Sequence, residues 1–179
     1  MVTKDDKYNR ICWSGEESKP TDETQSAHWK LYHDAMNLMK PNSVCLDVGC
    51  GFGGGSMILS RKCSKIMGID VGKDAIDYAN KFHKMPNIEY LETSIEDFPQ
   101  DKKFDFICFI AVIEHLDSER LAIDKCYKML NQDGIMMIYW CSANYNEDEI
   151  KNILKGYDYE LTYETDLRSP YWWSIMRMI

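Results

Sequence analysis

The chain has 179 residues, the size of one ordinary domain, and at that length folding buries roughly 70% of the unfolded surface without disulfides or metal. Hydrophobic residues make up 45% and charged residues 28%, which excludes global disorder and a collagen-like chain. A net charge of −8 repels phosphate backbones, and no Lys/Arg cluster breaks it, so general nucleic-acid binding is excluded as a partner class.

Seven cysteines occur: Cys12, Cys45, Cys50, Cys63, Cys108, Cys126 and Cys141. The number is odd and no pair has Cys-x-x-Cys spacing. Several lie in apolar runs such as Val44-Cys45-Leu46, where cysteine acts as a small hydrophobe. The pattern fits a reducing compartment. No apolar run approaches the roughly 20 residues of a membrane span, and residues 1–10 carry no signal-peptide core. The expectation is a cytoplasmic protein with no membrane partner.

Residues 1–23 are charged and poor in apolar side chains. They read as an irregular arm that either frays or folds over a pocket through Tyr8, Ile11 and Trp13. One domain is expected over 24–179. A helix over 24–39 is predicted from Ala27, Leu31, Ala35 and Leu38, with Trp29 and Tyr32 alongside and Pro41 as a stop. A buried strand over 43–48 then runs into a glycine cluster. Helices follow at 54–63, 73–84, 118–130 and 146–155. Strands are predicted at 65–70, 88–91, 104–110, 135–140 (opened by Gly134), 157–164 and 171–178. The apolar run 104–110 reads as a central strand buried on both faces. Alternation of strand and helix gives an α/β sandwich around a mostly parallel sheet. The last two strands lie too close for a helix between them and form an antiparallel pair. In the last strand Trp172 and Trp173 point to opposite faces, as core packing or as a homodimer contact at the sheet edge.

The run Asp47-Val48-Gly49-Cys50-Gly51-Phe52-Gly53-Gly54-Gly55 ends the first strand and opens a helix. Ligands of open parallel sheets bind outside the strands' carboxyl ends, and glycines there admit close backbone approach. Gly49, Gly51 and Gly54 satisfy the Gly-x-Gly-x-x-Gly spacing of dinucleotide oxidoreductases. Asp47 argues against a pyrophosphate, because a carboxylate at the strand end would oppose it at short range. A cationic ligand suits the loop better, and S-adenosylmethionine carries a sulfonium and an ammonium but no phosphate. Asp70 ends the second strand 19 residues after Gly51, the distance at which an acidic side chain accepts from ribose hydroxyls.

Residues 46–55, 68–70, 104–116 and 130–138 resemble successive motifs of the class I S-adenosylmethionine-dependent methyltransferases, in the branch called methyltransferase domain 11 or 25. The resemblance implies a Rossmann-like three-layer sandwich with a seven-stranded, mostly parallel sheet and an antiparallel last strand. It implies S-adenosylmethionine as cofactor, S-adenosylhomocysteine as product and a small-molecule acceptor attacked through O, N or C. By that resemblance the backbone of Gly49, Cys50, Gly51 and Gly53 lines the methionine and ribose part. Asp47 holds the ammonium group, Asp70 the ribose hydroxyls, and Val71 meets the adenine. Ser94 or Glu96 takes the adenine amino group, Ile95 covers the ring, and Ile110 and Ala111 face the methionine part.

Glu114 and His115 follow the central strand, beside the expected methyl group. Aligning nucleophile and methyl supplies much of such catalysis, and a base is needed only where the acceptor must lose a proton. His115 has the ordinary acidity for that task; the pair can equally orient the loop. Ala111 stands where related metal-dependent enzymes have a first Glu, so no metal is expected. Tyr8, Trp13, Trp29, Tyr32 and Tyr145 are candidates to enclose the acceptor, with His28 and His33 as polar options. Three other readings stay open: a cofactor-binding module without transfer activity, a protein methyltransferase and a nicotinamide oxidoreductase.

Overall fold

A computed structural model describes residues 22–164 and 171–178. Helix α1 (Asp22–Leu38) leads into β1 (Ser43–Val48). Then come α2 (Gly54–Leu59), β2 (Cys63–Asp70), α3 (Lys73–Phe82), β3 (Ile88–Glu92) and β4 (Phe104–Phe109). A 3-10 turn, Ile113–His115, precedes α4 (Glu119–Met129) and β5 (Leu130–Cys141). The described chain closes with α5 (Glu147–Ile153), β6 (Tyr159–Glu164) and β7 (Tyr171–Arg177).

The strands form one seven-stranded sheet of order β3-β2-β1-β4-β5-β7-β6. The first five are parallel to their neighbours. β7 runs antiparallel to both β5 and β6. Side chains alternate across the strands, so Ile66/Met67, Phe106/Ile107 and Met136/Met137 each split between two cores. One core lies under α1, α2 and α3 and holds Leu31, Ala35, Leu59, Ile66, Ala79, Phe106 and Met137. The other lies under α4 and α5 and holds Met67, Ile107, Ile123, Cys126, Met136, Trp140 and Ile150. The tryptophan pair obeys the same rule, with Trp173 against the first core and Trp172 against the second. Cys45, Cys50, Cys63, Cys108 and Cys126 are buried free thiols.

Several boundaries differ from expectation. α2 ends at Leu59 rather than at residue 63, because Cys63 is already paired in the sheet. β5 starts at Leu130 instead of after Gly134. Leu130 pairs with Phe104 and the register then shifts, with Asp133 at a φ of 58°. α5 begins on a capping box, Asn146 with Glu149, a sequence signature of a helix start. Because β1 is flanked by β2 and β4, the connections leave it in opposite directions. The crevice above its carboxyl end is where such sheets bind ligands. Among the described residues no helix is long and apolar enough to cross a membrane.

Candidate functional site

The glycine loop is fastened by β2 and β3. The N–H groups of Gly49 and Cys50 both donate to the Ile69 carbonyl, at 2.8 and 3.0 Å. Gly49 has a φ of +70°, and a Cβ there would lie 2.3 Å from Val112 Cγ2, so backbone angle and packing both require glycine. Asp70 Oδ2 accepts from Gly51 N–H at 2.9 Å, and its Oδ1 from Gly72 N–H at 2.8 Å. Tyr90 on β3 donates its hydroxyl to the Gly53 carbonyl at 3.0 Å. His83 Nδ1 lies 2.6 Å from the Phe52 carbonyl. A carbonyl only accepts, so this nitrogen carries the proton.

Asp47 occupies a different place from the one expected. It is fully buried beneath the loop and does not line the crevice. Tyr32 donates to its Oδ1 at 3.1 Å and Ser56 to its Oδ2 at 2.6 Å. The Cys108 thiol approaches Oδ1 at 3.5 Å. Burial pushes Asp47 up to about 6, while the three donors pull the other way. Burial and then the Asp47 charge hold Tyr32, Cys50 and Cys108 protonated. The expectation that Tyr32 encloses an acceptor is likewise corrected. Its ring lies over Gly55, where a Cβ would come within 1.9 Å of it, and the residue is buried in the core. Tyr32 and Asp47 thus join α1 to the glycine loop from behind.

The crevice gathers residues from the carboxyl ends of four segments. Val48 and Gly49 end β1; Ile69, Asp70 and Val71 end β2; Thr93 to Glu96 follow β3; Val112 and His115 to Asp117 follow β4. Of the expected cofactor contacts it unites Gly49, Asp70, Val71, Ser94, Ile95 and Glu96, with His115 at the far wall. Gly51 and Gly53 belong to the same loop without lining the cavity. Cys50 and Ile110 do not line it either, because their side chains are buried in the first core. Ala111 lies behind the wall too, at a φ of 54° that turns the chain into the 3-10 turn. Thr93, Val112, Leu116 and Asp117 line the crevice and were not singled out from sequence. The Gly49–Val112 contact is the signal for Val112, and only the fold supplies it.

The crevice contains the carboxylates of Asp70, Glu96 and Asp117 and no Lys or Arg. Ser94 is tied into its own turn. It donates to Asp97 Oδ2 and accepts from Asp97 N–H, both at 3.0 Å. Lys125 Nζ holds the Glu96 carbonyl at 2.6 Å, fixing the loop beside it.

In the 3-10 turn, Glu114 does not line the crevice, and its buried Oε2 has no hydrogen-bond partner. Burial pushes its carboxyl above the ordinary range. Tyr145 is not at the crevice: its hydroxyl donates to Glu119 Oε1 at 2.8 Å and its ring meets Trp140 edge-on. Trp29 is 52% exposed. Neither it nor His28 nor His33 lines the crevice. α1 instead borders a separate cavity with Met137, Tyr171 and Trp173, so the expected roof over 24–39 is not where the helix lies. Burial lowers the His28 pKa. Tyr8 and Trp13, and the expected arm up to residue 21, lie outside the described residues. Among the described residues no group of three or more His, Cys, Asp or Glu is placed to hold a metal.

The sequence profile of the methyltransferase domain family matches residues 46–138. The chain is 26% identical over 141 residues to a probable (S)-tetrahydroprotoberberine N-methyltransferase 2 of Papaver bracteatum, covering 75% of this chain and 39% of that one. It is 36% identical over 107 residues to a mitochondrial ubiquinone biosynthesis O-methyltransferase of Dictyostelium discoideum, covering 52% of this chain and 33% of that one. The chain thus spans between a third and two-fifths of the length of these curated relatives. In fold it is similar to the N-methyltransferase NodS of Bradyrhizobium japonicum WM9, solved with S-adenosyl-L-homocysteine. The TM-score is 0.78 at 20% identity, covering 96% of this chain and 98% of that one.

Proposed function

Because the chain belongs to the methyltransferase domain family, whose profile runs from β1 to β5, we propose that it transfers a methyl group from S-adenosylmethionine to a small-molecule acceptor. The observation that carries this reading is the charge of the crevice. Asp70, Glu96 and Asp117 are among the residues that line it, with no Lys or Arg. Such a lining attracts a sulfonium and an ammonium and repels a pyrophosphate.

The residues present suit this cofactor, which when bound supplies a methyl group already activated on a sulfonium. Asp70 would hold the ribose hydroxyls, while its two bonds to backbone N–H groups keep the loop closed. Val71 and Ile95 would lie against the adenine, and Glu96 would accept from its amino group, since the Ser94 hydroxyl is bonded to Asp97. Gly49 lets the backbone approach the methionine part. Asp47 acts through the loop it supports and touches no ligand. His115, which lines the crevice, would take a proton from an acceptor that must lose one.

The test is formation of S-adenosylhomocysteine by the purified protein across a panel of small phenols, amines and acids. Acceptor-dependent product is expected. Cofactor binding with no product from small molecules, peptides or proteins would make this a binding module. Product from protein alone would make it a protein methyltransferase.

A further inference from the structure

The glycine run after β1 is costly to order. Five of the positions 49–55 are glycine, and glycine loses more conformational freedom on folding than any other residue. Gly49, Gly51 and Gly53 all hold positive φ values, of 70°, 51° and 82°. The first half of the run is fixed at its N–H groups from β2, Gly49 and Cys50 by the Ile69 carbonyl and Gly51 by Asp70. The tip, Phe52 and Gly53, is fixed at its carbonyls from α3 and β3.

His83 follows the last turn of α3, and its backbone N–H closes that helix on the Ala79 carbonyl at 2.8 Å. The helix is thus capped without the imidazole, whose Nδ1–H donates instead to the Phe52 carbonyl at 2.6 Å. The base from which the ring reaches is itself held. The Tyr90 hydroxyl lies 3.0 Å from the Gly53 carbonyl and 3.2 Å from the His83 carbonyl, and its single proton is shared between the two. The imidazole also meets Tyr78 edge-on at 5.5 Å, and Tyr78 meets the Phe52 ring edge-on at 5.2 Å. Neither His83 nor Phe52 lines the crevice. What the His83 ring sets is the place of the loop tip, and through it the backbone of 49–53.

Resting on the methyltransferase reading above, we propose that His83 is a positioning residue for S-adenosylmethionine: its bond to the Phe52 carbonyl keeps the glycine loop in its binding shape before the cofactor arrives. The imidazole touches no cofactor and acts by population. A loop that is competent for only part of the time weakens the apparent affinity by that fraction.

The test compares wild type, H83F and H83N by calorimetric titration with S-adenosylhomocysteine at neutral pH. H83F keeps a ring for Tyr78 and loses the donor. H83N loses the ring and keeps an amide N–H close to the place of Nδ1. H83F is expected to bind about three- to tenfold more weakly than wild type, the worth of one ordinary hydrogen bond, and H83N to stay within about twofold. Amide hydrogen exchange of the unliganded proteins is expected to quicken at Gly51 and Gly53 in H83F alone. H83F binding as tightly as wild type, H83N binding as weakly as H83F, or exchange unchanged in H83F would each overturn the proposal. Failure of S-adenosylhomocysteine to bind wild type would count against the methyltransferase reading instead, and the exchange comparison would still decide whether His83 orders the loop.

Discussion

β1 carries a fully buried carboxylate near its end, Asp47, and the turn after β4 carries a half-buried one, Glu114, and the two are handled in opposite ways. Asp47 is met by Tyr32 and Ser56 hydroxyls and the Cys108 thiol. Glu114 Oε2 is met by nothing. A buried charge supplied with donors belongs to the architecture, whereas a carboxylate oxygen left without them costs the folded chain its desolvation. The glycine loop is accordingly the finished half of the crevice, tied to β2 and β3 by the side chains of Asp70 and Tyr90.

The largest expected effect falls on the finished half. D70A removes the acceptor for both Gly51 and Gly72 N–H together with the group placed for the ribose hydroxyls. Each bond to a carboxylate is worth roughly 1.5–3 kcal/mol. S-adenosylhomocysteine affinity should fall by about a hundredfold or more by calorimetry. A loss below about tenfold would mean that the loop does not depend on Asp70.

A comparable effect separates Asp47 from its surroundings by pH. Its folded value of about 6 lies above the ordinary 3.8. The folded protein therefore binds this proton more readily than the unfolded chain does. The resulting stabilisation is complete below about pH 4 and is lost as pH rises through about 6. It amounts to about 3 kcal/mol from the shift itself. Denaturant unfolding of wild type and D47N between pH 4 and 7 should show wild type losing that much relative to the variant. Parallel curves would mean that Asp47 has its ordinary acidity in the fold.

The smallest effect distinguishes the two carboxylates most sharply. Y32F takes one donor from Asp47 and should lower stability by about 1 kcal/mol. E114Q takes a charge that has no donor at Oε2, so stability at neutral pH should be unchanged or higher. Paired melts of the two variants read the contrast directly. A destabilised E114Q would place Glu114 within the architecture after all.

Much of the fold was legible because the period-2 and 3.6-residue patterns are imposed by burial, as in β4 and α4, and because the glycine run has few uses in an ordinary turn. The end of α2 and the start of β5 were less legible, since pairing with β1 and β4 sets them rather than local preference. At the site, Asp70, Val71, Ser94, Ile95 and Glu96 fall in the crevice because they close strands of known direction. Asp47 was misplaced for a physical reason: alternation along β1 turns it into the sheet's packed face, toward Tyr32 from a helix 15 residues earlier. Its negative charge was read as facing the ligand, whereas the acidic residues that line the crevice are Asp70, Glu96 and Asp117. Ser94 carried no sign of its commitment to Asp97 beyond the spacing of three residues typical of such turns.

The central claim is that this acidic crevice selects a cationic thioether cofactor over an anionic dinucleotide. Calorimetric titration of the purified protein with S-adenosylmethionine and with NADH at neutral pH tests it most directly. One S-adenosylmethionine is expected to bind per chain, with no uptake of NADH. Saturable binding of NADH, or displacement of S-adenosylmethionine by it, would contradict the account.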